Sequence, residues 1–219
     1  MKDLGNVMIL GDSYSTFEGY IPEGYEAWYS PAGRDCNNVC RVEECWWHQF
    51  FSEAPARLAF NCSYSGTTIC NTGYEGADCR EISFIGRLDK LIDNGYFKKS
   101  QTDTLFIFGA TNDSWAGSPL GEQKLCDWSA DDLYSVFPAF SYMLSRAKEA
   151  LPKARIIYIM NFCLNPEFAP RFEESCLHFG VEFLPLTEFQ LGGGHPTVLG
   201  MKQIKEQITA YLEDEKNEK

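Results

Sequence analysis

Five short apolar runs, at residues 6–10, 58–62, 104–108, 155–160 and 181–184, alternate with helix-patterned segments along the chain. Residues 46–54, 81–94, 131–150, 166–179 and 197–212 carry the helical pattern. In the second of these, Ile82, Ile85, Leu88, Leu91 and Ile92 form one stripe, closed by Gly95. In the third, Ser129 is placed to cap the helix, and Pro138 to kink it or shift its start. Strands separated by helices pair in parallel through right-handed crossovers, with helices on both faces of the sheet. The expected architecture is therefore α/β. In such sheets a ligand site lies beyond the carboxyl ends of the strands. No repeat or composition break divides the sequence, so a single domain over 1–219 is expected, with 213–219 a charged, solvated tail.

Charge narrows the function classes. The 19 Lys and Arg face 31 Asp and Glu, a formal net charge of -12, where a phosphate backbone requires a basic surface. A nucleic-acid partner is therefore excluded at this stage. No apolar run approaches the ~20 residues of a membrane span, and the start of the chain lacks a signal-peptide pattern. A soluble, cytoplasmic protein is the expectation. The nine cysteines have no framework spacing and read mainly as free thiols packed as small hydrophobes in a reducing compartment. Cys36, Cys40, Cys45 and His48 leave two other readings open: a structural metal, or a disulfide through Cys40 to Cys36 or Cys45.

The residues able to carry chemistry fall after the strands. Gly11-Asp12-Ser13-Tyr14-Ser15 follows the first run, which puts Ser13 at an exposed strand-to-helix turn whose backbone N–H groups face a developing anion. Ser15 occupies the last glycine of a G-x-S-x-G elbow, and neither a phosphate loop nor a dinucleotide fingerprint is present. Gly66 lies in the loop after the second run, and Asn112 at the end of the third. Both types of group donate hydrogen bonds without charge, as acyl transfer requires. His195 stands in Leu191-Gly192-Gly193-Gly194-His195-Pro196-Thr197, a flexible glycine loop ended by a proline. His48, beside two tryptophans, and His178, before Phe179, read as structural.

Gly11-Asp12-Ser13, Gly66 within Ser65-Gly66-Thr67-Thr68, Ala110-Thr111-Asn112-Asp113 and His195-Pro196-Thr197, in that order, resemble the SGNH, or GDSL-type, hydrolases over residues 8 to about 205. The resemblance implies a flavodoxin-like three-layer α/β/α sandwich with a five-stranded parallel sheet. It implies Ser13 as nucleophile, His195 as general base, and an oxyanion hole made by the N–H groups of Ser13 and Gly66 with the Asn112 side chain. A serine esterase needing no metal or cofactor, acting on a small ester such as an acetylated carbohydrate, is the activity implied.

The sequence departs from that pattern twice. Ala110 stands where the family has a glycine, and Gly192 where it has the triad aspartate. Because an acid orients the imidazole and stabilises the imidazolium, three readings follow. A backbone carbonyl holds His195 in a dyad, Glu188 reaches in, or turnover is lost and a binding protein remains. Trp28 and Trp115 are the candidate pocket walls. Tyr20, Tyr25 and Tyr29 share the long loop 17–45 with Trp28.

Overall fold

The computed structural model describes residues 1–214, so most of the expected charged tail lies outside the described residues. The strands are β1 (Gly5–Gly11), β2 (Ala56–Ser63), β3 (Thr104–Gly109), β4 (Arg155–Met160) and β5 (Glu182–Pro185). They form one sheet of order β2-β1-β3-β4-β5, with every neighbouring pair parallel. The helices are α1 (Trp46–Glu53), α2 (Phe84–Asp93), α3 (Tyr96–Lys99), α4 (Thr111–Ala116), α5 (Val136–Ala150), α6 (Phe168–Phe179) and α7 (Val198–Asp214).

The central strands are apolar throughout because both their faces are covered. Met8, Leu10, Leu105, Ile107, Ile156 and Tyr158 point into one core, packed with α2, α5 and α6 side chains such as Phe84, Phe140 and Phe172. The residues between them, Val7, Ile9, Phe106, Phe108, Ile157 and Ile159, point into the other, with Trp46 and Phe50 of α1 and Ile204 and Ile208 of α7. The period of two along each strand thus builds a three-layer sandwich, the expected class. The strand order reverses direction at β1, placing the crevice between β1 and β3 at a switch point where α/β sheets bind ligands.

Several expected boundaries move for local reasons. The long helix starts at Val136 instead of 131. Ser129 accepts a hydrogen bond from the Asp132 N–H ahead of a separate short turn, Asp132–Tyr134, whose N-cap is Asp131. Pro138 sits in the first helical turn, where its missing N–H costs nothing. A register shift between Val7 and Met8 marks a bulge opposite them in β2, which is longer than expected. After β1 the chain makes only one 3₁₀ turn, Ser13–Ser15, before extending at Thr16. No long helix follows Ser13, so that turn offers its orphan N–H groups without a substantial macrodipole. No described helix is long and apolar enough to cross a membrane.

Candidate active site

Asp12 caps the turn after β1, its Oδ1 accepting from the Tyr14 N–H at 3.0 Å. That cap fixes Ser13, which is only 2% exposed and so is not at the exposed position expected. Opposite it, Leu191–Gly192 (β6) and His195–Pro196 (β7) form an antiparallel hairpin. Gly193 and Gly194 make its two-residue turn with φ of +58° and +77°, the pair of positive values such tight hairpins demand. The loop expected to be flexible is therefore a fixed hairpin.

Its carbonyls are nearly all taken. Asn37 Nδ2 donates to the oxygens of Gly192, His195 and Pro196 at 3.1 Å each. Tyr14 donates to the Gly194 oxygen at 2.7 Å, and Tyr29 to that of Pro196 at 2.9 Å. The Gly193 oxygen faces His195 Nδ1 at 3.1 Å. A carbonyl only accepts, so Nδ1 carries the proton, and Nε2 is free to accept from Ser13 Oγ at 3.0 Å. Ser13 and His195 are thus brought together as an oriented pair. Burial holds the imidazole pKa down at about 4, against the Gly193 hydrogen bond and aided by the Arg34 charge.

Glu188 does not join them: it is exposed, and the partner of Nδ1 is the Gly193 carbonyl. The position of the expected acid is itself closed, because a Cβ on Gly192 would lie 2.6 Å from the Cys36 carbonyl oxygen.

The third expected component is tied to the first two by short links. Tyr64 N–H donates to the Gly11 oxygen at 3.1 Å, joining the loop after β2 to the end of β1. Asn112, 3% exposed in the first turn of α4, donates from Nδ2 to the Thr67 oxygen at 3.0 Å. Tyr74 donates to its Oδ1 at 2.9 Å. These two bonds fix the amide's orientation and leave one Nδ2–H uncommitted among the described residues. The N–H groups of Ser13 and Gly66 likewise meet no acceptor among the described residues. Gly66 has φ of +76°, a conformation that favours glycine. Ala110, where the resemblance expects glycine, adopts φ of +79° directly before α4. The glycine-like backbone is kept there despite the side chain, at a strain on the order of 1–2 kcal/mol.

Three buried charged residues beneath the site were not among the sequence candidates. Arg87 of α2, 1% exposed, donates to the carbonyls of Gly11, Cys62 and Ile82 and to Thr67 Oγ, stapling β1, β2 and the Gly66 loop together. Asp113 accepts from the N–H groups of Ile69 and Cys70; burial raises its pKa to about 6. Burial raises Asp12 to about 7, while the Tyr14 N–H and Arg87 pull it back. Arg87 flanks the apolar stripe of its helix, the one sequence signal of its inward turn.

The aromatic candidates divide. Trp28 stacks on His195, ring centroids 3.6 Å apart and planes 7° apart, and carries Arg34 on a face, so it packs on the imidazole instead of lining an open wall. Trp115 is 45% exposed and meets the His195 ring edgewise at 5.7 Å. Tyr29 is buried, Tyr25 stacks on Tyr64, and Tyr20 packs on Phe17 and Trp47. His48 is half-buried in α1 and His178 exposed in α6. Cys36, Cys40, Cys45 and His48 do not converge: all nine cysteines are free, and the described residues contain no group of side chains able to hold a metal.

Comparison with known proteins bears on the family and the fold. The family description for GDSL-like Lipase/Acylhydrolase matches residues 5–212. A crystal structure of a GDSL-like lipase assignment from Bacteroides ovatus is 42% identical, with a TM-score of 0.90, over 97% of this chain and 100% of that one. Its counterpart from Bacteroides uniformis is also 42% identical, with a TM-score of 0.88 and 95% of each chain covered. A family two carbohydrate esterase from Clostridium thermocellum, in complex with cellohexaose, shares the fold at 16% identity and a TM-score of 0.64, over 99% of this chain and 66% of that one. No curated protein matches the sequence. With nearly its whole length matched by the family description and by two relatives at 42% identity, the chain belongs to the GDSL-like lipase/acylhydrolase family.

Proposed function

We propose that the protein is a serine esterase working through an acyl-enzyme on Ser13. The observation that carries this reading is the 3.0 Å contact from Ser13 Oγ to an imidazole nitrogen left unprotonated by the Gly193 hydrogen bond. Ser13 Oγ attacks the ester carbonyl carbon as its proton passes to His195 Nε2. The negative charge that forms on the carbonyl oxygen is met by the Ser13 and Gly66 N–H groups and the uncommitted Asn112 Nδ2–H. Collapse expels the alcohol, which takes the proton from His195. Water, deprotonated by the same nitrogen, then releases the acid and restores Ser13.

A short acyl group on a carbohydrate is the substrate class we favour. Ser13, Asn112 and His195 are at most 6% exposed, leaving a narrow approach that suits acetate better than a long chain. Tyr74 and Trp115 are 42% and 45% exposed next to Asn112 and His195, and such half-open rings offer flat apolar faces to a sugar. The likeness to the Clostridium thermocellum esterase carries the fold alone.

A fluorophosphonate probe tests the reading. Labelling that maps to Ser13 and disappears in Ser13→Ala supports it. A chain that binds acetylated sugars but takes no label is the binding protein that a lost triad acid would leave.

A further inference from the structure

The Trp28–His195 stack differs from the other ring contacts around the base. Tyr14, Trp115 and Tyr29 meet the imidazole edgewise, at 60°, 71° and 82° between planes. Trp28 lies flat on it at 3.6 Å, the arrangement in which an aromatic face attracts a cation. The indole is held by its backbone and its faces: Nε1 is buried with no hydrogen-bond partner among the described residues. Arg34 places its guanidinium over the indole, 4.1 Å from the ring centroid, and donates from Nε to the Trp28 carbonyl at 2.9 Å. On the other side, Trp28 N–H donates to Thr16 Oγ, and that hydroxyl donates to the Ser13 carbonyl, each at 2.9 Å. Two hydrogen bonds therefore connect the ring that supports the base to the backbone of the nucleophile.

We propose that Trp28, clamped by Arg34, is a positioning residue that takes over work done elsewhere by a triad carboxylate. Its indole face keeps the His195 ring in the plane that aims Nε2 at Ser13 and stabilises the imidazolium formed during attack. This rests on the esterase reading above and adds to it a specific support for the base. Burial first, and the Arg34 charge after it, disfavour the imidazolium, so the resting base stays neutral. The same guanidinium pins the indole. Among the described residues, the other titratable side chains in ring contact with the imidazole are Tyr14 and Tyr29, both held well above their ordinary pKa by burial and so uncharged.

The test combines kinetics with a titration of His195, one of only three histidines in the chain. Trp28→Leu is expected to lower kcat about tenfold with KM within about twofold, and Trp28→Phe, which keeps an aromatic face, to recover most of the loss. Arg34→Gln is expected to raise the His195 titration, followed by NMR, by about half a unit. Equal losses in the Phe and Leu variants would reduce Trp28 to packing and overturn the proposal. An unmoved titration in Arg34→Gln would overturn it as well, and this measurement decides the matter should Trp28→Leu fail to fold. Fluorophosphonate labelling of the wild-type protein is run alongside. Its failure removes the esterase reading, whereas the titration reads the clamp whether or not the serine turns over.

Discussion

His195 donates from Nδ1 to the carbonyl oxygen of Gly193, two residues back in its own hairpin, at 3.1 Å. A neutral acceptor orients the ring but does not raise its basicity as an anion does, and burial depresses the pKa to about 4. General-base catalysis needs the unprotonated ring, so activity is retained as pH falls and is lost only through that low value. The acid limb of kcat/KM is expected well below the ordinary histidine value of ~6.5. Glu188→Gln, at an exposed position, is expected to cost less than tenfold in kcat/KM, where loss of a true triad acid costs on the order of 10⁴. A pH–rate profile of both proteins, with p-nitrophenyl acetate as substrate, checks the two expectations together.

Gly192→Asp would put a carboxylate back at the sequence position where the family pattern has one. It is expected to fail as a rescue. The new Cβ would lie 2.6 Å from the Cys36 carbonyl oxygen, and backbone there cannot swing aside as a side-chain end does. The hairpin or the 34–39 segment must shift, at about 1–3 kcal/mol, and the Asn37 bonds to Gly192, His195 and Pro196 shift with it. Thermal melting should show a loss of several degrees, and kcat should fall. A gain in kcat would mean that the hairpin accommodates an acid.

The contrast between β1 and the His195 hairpin explains what the sequence reveals. β1 and β3 are covered on both faces, so Val7–Leu10 and Leu105–Phe108 are apolar without interruption and legible at once. The hairpin strands are two residues each, too short for any hydrophobic period. Its glycines read as freedom, whereas Gly193 and Gly194 are fixed at positive φ by a tight turn. α4 was missed for a related reason: Thr111-Asn112-Asp113 looks like a turn, and the helix is preceded by Ala110 with no side-chain cap. Arg87, Asp12 and Asp113 were illegible because charge reads as surface, and only the tertiary structure brings the carbonyl and N–H partners that make their burial tolerable. Ser13, Gly66, Asn112 and His195 stand out in the sequence through motif order alone, and the structure brings Ser13 and His195 within hydrogen-bond distance.

Asn112→Ala tests the amide as an oxyanion donor. Removing one such donor is expected to lower kcat by roughly 10²–10³, with a smaller change in KM. The same change strands the Thr67 carbonyl and the Tyr74 hydroxyl, so stability should also fall, by about 1–3 kcal/mol. Tyr74→Phe is the companion variant. It removes only the hydroxyl that fixes the amide's orientation, and a loss smaller than that of Asn112→Ala is expected. Steady-state kinetics at a temperature well below both melting points separates the two effects. A change confined to KM would assign Asn112 to substrate binding.

Asp12→Asn bears on the buried acid next to Ser13. The asparagine keeps an Oδ1 to accept from the Tyr14 N–H, as the aspartate does at 3.0 Å. In the folded protein, burial raises the Asp12 pKa from 3.8 to about 7, so between these values the native state holds a proton that the unfolded chain has released. Stability contributed by this group is therefore greatest at low pH and falls as pH rises through the window. The asparagine has no such dependence. The melting temperature of Asp12→Asn minus that of the wild type is thus expected to increase from about pH 4 to about pH 7 and then level, the rise corresponding to a stability difference on the order of a few kcal/mol. His195 and Asp113 also titrate, but they are present in both proteins and largely cancel in the difference. The sign of the slope is the test, since the offset at any one pH also contains the altered interaction with Arg87. Calorimetric melts at four pH values suffice, and parallel curves would show that Asp12 is already ionised throughout the window.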